Sequence, residues 1–161
     1  MGINSELSRD EYLLHCLSAA YIDLLSKKDK NDIGARELAK KAGVSKSSFY
    51  RLFGNSNYRE KLILFHLAFL FEKGEYKGNN ASSSIKGFVD FFYKNKTTIT
   101  PIIQQEEGYL LSFIVSLSEK EHTAFILPSL YPTLRNTILE HPEIDELEAL
   151  KLLRKTLKEK L

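Results

Sequence analysis

Apolar residues recur at helical spacing along most of this 161-residue chain. The first set follows the i, i+3, i+4, i+7 rule of an amphipathic helix: Leu13, Leu14, Leu17, Ala20, Tyr21, Leu24 and Leu25. The sequence has no convincing alternating pattern of the kind that strands need, and it has no internal repeat. We therefore predict an all-α fold with helices over 8–28, 35–42, 46–52, 57–73, 83–96, 100–118, 119–127, 133–139 and 142–161.

Several helix ends are marked by local signals. Ser8 with Glu11, and Asn57 with Glu60, each match the spacing of a capping box. Ser82–Ser84 offer a cap for the helix that follows the Gly and Asn residues of 74–80. Pro128 and Pro132 are expected to interrupt the helical pattern, and Pro142 is expected to open the last helix.

Composition and charge exclude several classes of protein. The net charge is only +2, but residues 1–61 hold 11 basic and 8 acidic side chains. A single cysteine, Cys16, rules out an internal disulfide and a zinc site built from cysteines, which fits a reducing compartment. No apolar run approaches the roughly 20 residues that span a bilayer, and no signal peptide is readable. We expect a cytoplasmic protein with no membrane partner.

The most informative segment runs from Arg36 to Phe53, RELAKKAGVSKSSFYRLF. Ala39 is small enough to let a second helix cross closely over the first. Gly43 can adopt the positive φ that ends the first helix in a tight turn, and Ser45 can cap the second. Two short helices joined in this way form a helix-turn-helix.

The second of these short helices is mostly polar. Phe49 points to the core, which leaves short donors and long cations on the other sides. That combination suits a helix whose N-terminal end enters a DNA major groove between flanking phosphates. The candidate DNA contacts are Arg36, Ser45, Lys46, Ser47, Ser48, Tyr50 and Arg51.

The stretch from Leu13 to Phe53 resembles the DNA-binding domain of the TetR family of bacterial transcriptional regulators. The resemblance includes LSAAYIDLL in the first helix, RELAKKAGVSKSSFYRLF, and a capped fourth helix. It implies a three-helix DNA-binding domain over residues 1–56 and a helical regulatory and dimerisation domain over 57–161, connected by the helix 57–73. Gly34 departs from the family, which usually has Thr or Ser at that cap.

Aromatic residues dominate the second domain. They are consistent with a pocket for a small apolar or aromatic effector, and equally with simple core packing. The candidate pocket residues are Phe69, Phe91, Phe92, Tyr109 and Phe113.

The sequence shows no catalytic arrangement and no cofactor motif. His15, His66, His122 and His141 have no metal-ligand spacing, and His66 is expected to be a satisfied core histidine. Glu106 and Glu107 point about 100° apart on a helix and are expected at the surface. We therefore predict no enzyme activity, no cofactor and no metal.

The predicted function is that of a ligand-responsive repressor that binds a near-palindromic operator in double-stranded DNA as a homodimer. One alternative is a helical adaptor of the same fold that acts mainly through protein–protein contacts. Another is a small all-α enzyme or carrier that uses the aromatic region as a cavity.

Overall fold

The computed structural model describes residues 8–121, 123 and 125–160. Across these residues the regular structure is helical and contains no strand, which confirms the all-α class. The predictions that concern residues 1–7, His122 and Leu161 lie outside the described residues. The helices are α1 (Arg9–Leu25), α2 (Ala35–Ala42), α3 (Lys46–Phe53), α4 (Tyr58–Lys73), α5 (Ala81–Lys94), α6 (Lys96–Gln105), α7 (Glu107–Lys120), α8 (Ile126–Glu140) and α9 (Glu146–Lys160).

The chain divides into two compact units, the first ending at His66 and the second beginning at Leu67. The division falls inside α4, so this helix contributes residues to both units.

The first unit is built on the contact between α1 and α2. Leu17 and Tyr21 of α1 and Leu38 of α2 are completely buried, as the helical spacing of α1 predicts. Ser8 caps α1 by accepting a hydrogen bond from the Glu11 backbone N–H at 3.2 Å. The described bounds of α2 agree with the predicted ones, and those of α1, α3 and α4 differ by one to three residues at an end.

Gly43 ends α2 in the left-handed conformation with φ 70°. The next backbone N–H, that of Val44, donates to the Ala39 carbonyl at 2.9 Å, which closes the turn between α2 and α3. A residue with a side chain is strained at this φ, and for this reason glycine is favoured here.

Gly43→Ala is expected to lower the free energy of unfolding by about 1 kcal/mol, measured by urea denaturation. The loss would come from backbone strain alone, because an added Cβ would have no atom within 4 Å. Gly34→Ser is the matched control. Gly34 has φ −95° and gives α2 no side-chain cap, so serine is expected to change stability by only a few tenths of a kcal/mol, in the stabilising direction. An equal loss in both variants would contradict the assignment of strain to Gly43.

His66 is a hydrogen-bonded residue of the first unit. Its Nδ1 lies 3.1 Å from the hydroxyl of Ser18, which is fully buried. The His15 ring packs edge-on against Phe65 with centroids 4.9 Å apart. Burial, and to a lesser degree the charge of His15, lowers the pKa of His66 to about 4.

The protein is expected to lose stability as the pH falls from about 6.5 to 4 because of His66. Over this range the unfolded chain takes up a proton at His66 and the folded chain does not, so acidification favours unfolding. Since the ring is only partly buried, the contribution is about 1 to 2 kcal/mol. His66→Gln should remove this part of the pH dependence of urea unfolding. His141→Gln, at a half-exposed position, should leave it unchanged.

The second unit has α5 near its centre, in contact with α6, α8 and α9. The buried face of α5 carries Phe88, Phe91 and Phe92, each at most 1% exposed. Asn80, and not Ser82–Ser84 alone, caps α5. Its side chain accepts from the Ser83 N–H at 2.9 Å, and the Ser83 hydroxyl accepts from the Asn80 N–H.

The prediction for residues 100–140 was wrong in four places. The expected helix 100–118 is two helices that meet at Glu106, and the expected helix 119–127 is not a separate helix, since α7 ends at Lys120 and α8 begins at Ile126. Pro128 lies in the first turn of α8, where the backbone N–H has no helical partner, so it does not interrupt the helix. Pro132 lies inside α8, where the buried Leu130, Tyr131 and Leu134 hold the helix together despite the missing hydrogen bond.

The last helix and the paired glutamates also differ from prediction. The helix begins at Glu146, four residues after Pro142, and Asp145 accepts a hydrogen bond from the Glu148 N–H at 2.8 Å. Glu106 is only 5% exposed, although it was expected at the surface.

Glu107 was also expected at the surface, but it is half-buried. It accepts hydrogen bonds from the Tyr131 hydroxyl, at 2.7 Å, and from Arg135. Burial raises the pKa of Glu107, but the hydrogen bonds from Arg135 and Tyr131 outweigh it and leave the pKa below its ordinary value.

Candidate nucleic-acid interface

Helix α3 is fixed in the first unit by its aromatic side and by its cap. Phe49 and Phe53 are each 4% exposed, and the Phe49 ring packs 5.3 Å from that of Tyr58. At the start of the helix, the Ser45 hydroxyl accepts a hydrogen bond from the Ser48 N–H at 3.2 Å. The predicted burial of Phe49 and the predicted Ser45 cap are both confirmed, so packing sets the orientation of the opposite side of α3.

The opposite side of α3 faces solvent. Lys46, Ser47 and Arg51 are exposed, Ser48 is half-buried, and Tyr50 has 52% of its surface exposed. An exposed tyrosine presents both an apolar ring and a hydroxyl to a partner. The Lys46 ammonium lies 5.9 Å from the centre of the Tyr50 ring, which places these two side chains together.

A groove of about 620 Å³ runs between α2 and α3. Three of its lining residues are the cations Arg36, Lys40 and Lys46, and none of the acidic residues in the described part of the chain lines it. None of the three forms an ion pair with a residue that the structure describes. The groove therefore presents positive charge that an external anion can neutralise. Its full lining is Ala35, Arg36, Ala39, Lys40, Val44, Lys46, Phe49 and Tyr50.

Two acidic residues of α1 and α2, Asp23 and Glu37, form ion pairs with lysines outside the groove. Asp23 accepts from both Lys27 at 2.9 Å and Lys41 at 2.8 Å, and these contacts lower the pKa of Asp23. Glu37 accepts from Lys28 at 2.8 Å. Because these carboxylates already have lysine partners and lie outside the lining, they leave the charge of the groove uncompensated.

Arg51 differs from the other predicted DNA contacts. Its Nη1 donates to the Asp10 carboxylate at 2.8 Å, which joins the last turn of α3 to the first turn of α1. No local sequence signal points to this pair, because its members are 41 positions apart.

The structure therefore brings Arg36, Lys46 and Tyr50 together around one groove. It also adds Lys40, which is not among the predicted DNA contacts. The i, i+4 spacing of Arg36 and Lys40 on α2 is the signal that could have placed both cations on the same face. Ser45, Ser47 and Ser48 lie at the start of α3, outside the lining.

The predicted pocket residues of the second unit are divided between core and partly exposed positions. Phe91 packs against Phe92 and Phe113 with ring centroids 5.7 and 5.9 Å apart, and all three are buried. Phe69 and Tyr109 are half-buried. In this conformation the three buried rings fill the space between their helices as core residues do.

Three searches of known proteins give no relative for this chain: no family model, no curated protein and no solved structure matches it. Among the described residues, no three His, Cys, Asp or Glu side chains are grouped so that they could hold a metal ion. No helix over the same residues is long and apolar enough to cross a membrane.

Proposed function

We propose that this protein is a DNA-binding transcriptional repressor of the TetR type. Helix α3 is its reading helix, and α2, Gly43 and α3 form its helix-turn-helix. The observation that carries the proposal is the groove between α2 and α3, which has three cations and no carboxylate in its lining, the cations being unpaired as far as the described residues go. A neutral or acidic surface at this place would have favoured an adaptor that binds another protein.

The chemistry of this surface fits a duplex. The major groove of DNA is about 12 Å wide and admits one α-helix, and phosphates line both of its edges. Lys46 and Tyr50 would meet base edges or thymine methyl groups, while Arg36 and Lys40 would meet phosphates. The serines at the start of α3 supply short donors and acceptors next to the same bases.

The proposal includes a homodimer and an effector. Two reading helices bind two half-sites about one helical turn apart or slightly more, so the operator is expected to be a near-palindrome. A small apolar or aromatic effector bound in the second unit would act through α4, the helix that continues from one unit into the other. The effector weakens DNA binding only to the extent that its own affinity differs between the DNA-binding state of the protein and the other state.

The test is an in vitro selection of random duplex DNA with the purified protein, followed by sequencing of the bound pool. An enriched inverted repeat supports the proposal and gives the spacing of the half-sites. The affinity for that repeat should fall steeply with salt, because several phosphates are neutralised.

The selection is repeated after the protein has been denatured and refolded, which removes any effector that co-purified with it. An unenriched pool in both selections, together with salt-independent or undetectable binding, would contradict the proposal and favour the adaptor.

A further inference from the structure

Arg51 is one of the candidate DNA contacts, yet in the free protein it is bound to Asp10. The Arg51 side chain is 49% exposed and that of Asp10 is 53% exposed, so the pair lies at the surface of the first unit. Arg51 uses one nitrogen, Nη1, in its hydrogen bond to Asp10.

The pair is not what holds α3 in place. The buried Phe49 and Phe53 anchor the helix, and the ring of Tyr58 packs against both of them. A half-exposed ion pair adds little to stability, because water and salt screen it and two long side chains must be ordered. Its breakage therefore leaves α3 where it is.

A DNA phosphate can replace the Asp10 carboxylate as the hydrogen-bond acceptor of Arg51, and two effects favour the phosphate. It can accept two parallel N–H groups from a guanidinium, and its contact with a cation releases counterions from the duplex. Asp10 and a phosphate cannot both occupy the edge of the guanidinium that carries Nη1, and a carboxylate next to the duplex also repels it.

We propose that Asp10 is an intramolecular competitor of DNA phosphate for Arg51. It thereby sets how tightly the protein holds DNA of any sequence. This inference rests on the proposed function, because it requires that the surface around α3 meets a duplex. Since a phosphate contact carries no sequence information, Asp10 limits the non-specific part of the affinity and leaves base reading to the start of α3.

The experiment measures the affinity for random-sequence duplex DNA over a range of salt concentrations. Asp10→Asn is compared with Glu11→Gln. Both remove one negative charge from the first turn of α1, so they change the helix dipole interaction equally, but only the first frees Arg51. Asp10→Asn is expected to bind about threefold to fivefold more tightly than the unsubstituted protein, with a salt slope steeper by up to about 0.9. Glu11→Gln should give a clearly smaller gain.

Both substitutions are then repeated in an Arg51→Gln background. In that background, Asp10→Asn should bind random-sequence DNA no more tightly than Glu11→Gln, because position 51 no longer carries a guanidinium. Equal gains in the original background, or weaker binding by Asp10→Asn, would overturn the inference and leave the proposed function standing. Failure of the unsubstituted protein to bind any duplex at low salt would overturn both.

Discussion

Replacing Lys46 and Tyr50 together with alanine is expected to weaken binding to the selected DNA about 100-fold or more. Both residues line the groove, and each is expected to make a base contact of about 1 to 3 kcal/mol. Because Phe49 and the Ser45 cap remain, α3 should keep its position, and the free energy of unfolding measured in urea should stay within about 0.5 kcal/mol of the original. A gel-shift or fluorescence-anisotropy titration measures the affinity.

The matched control is Tyr12→Ala with Lys27→Ala. These residues are an exposed tyrosine, at 59%, and an exposed lysine on the same unit, but neither lines the groove. The control removes the same side-chain types and the same charge, and it should change affinity by less than about threefold. If both double variants lost affinity equally, net charge alone would account for binding and the assigned reading face would be wrong.

Phe91→Ala is expected to destabilise the second unit by about 3 to 5 kcal/mol. Phe91 is fully buried, and its ring packs 5.4 Å from that of Phe71, 5.4 Å from that of Tyr76 and 5.7 Å from that of Phe92. Truncation would leave a cavity that these rings cannot fill by small movements. Chemical denaturation, followed by circular dichroism, measures the loss.

The companion variant Phe91→Leu should retain most of the stability, with a loss of about 1 to 2 kcal/mol, and it remains measurable if the alanine variant does not fold. Phe125→Ala is the control, because Phe125 is 81% exposed and should change stability by less than about 0.5 kcal/mol. If Phe91→Ala lost no more stability than Phe125→Ala, Phe91 would line open space, as an effector pocket requires.

The first half of the fold could be predicted closely because its signals are local. The Ser8 cap, the left-handed Gly43 and the Ser45 cap each fix a helix end within a few residues of the chain. The burial of Phe49 could also be predicted, because it is an apolar residue within the mostly polar start of α3.

The second half was predicted less well because tertiary contacts override the local signals there. Pro132 lies inside α8, since the apolar side chains around it gain more by packing than one missing hydrogen bond costs. The break at Glu106 has only Gly108, two residues further along the chain, as a local signal. In the candidate site, the sequence indicated which residues face outward, but the pair of Arg51 with Asp10 and the absence of carboxylates from the groove depend on contacts between distant helices.

The uneven distribution of charge on the first unit has a kinetic consequence. Within the residues that the structure covers, its cations in the groove have no acidic partner, while Asp10, Asp23 and Glu37 are held in ion pairs outside the lining. A molecule of this kind experiences a torque in the field of a polyanion and turns its groove toward it before contact. The encounter rate should then exceed that of an evenly charged protein of the same size, and it should drop as ionic strength shortens the range of the field. Much of the work of finding DNA would be done during the approach.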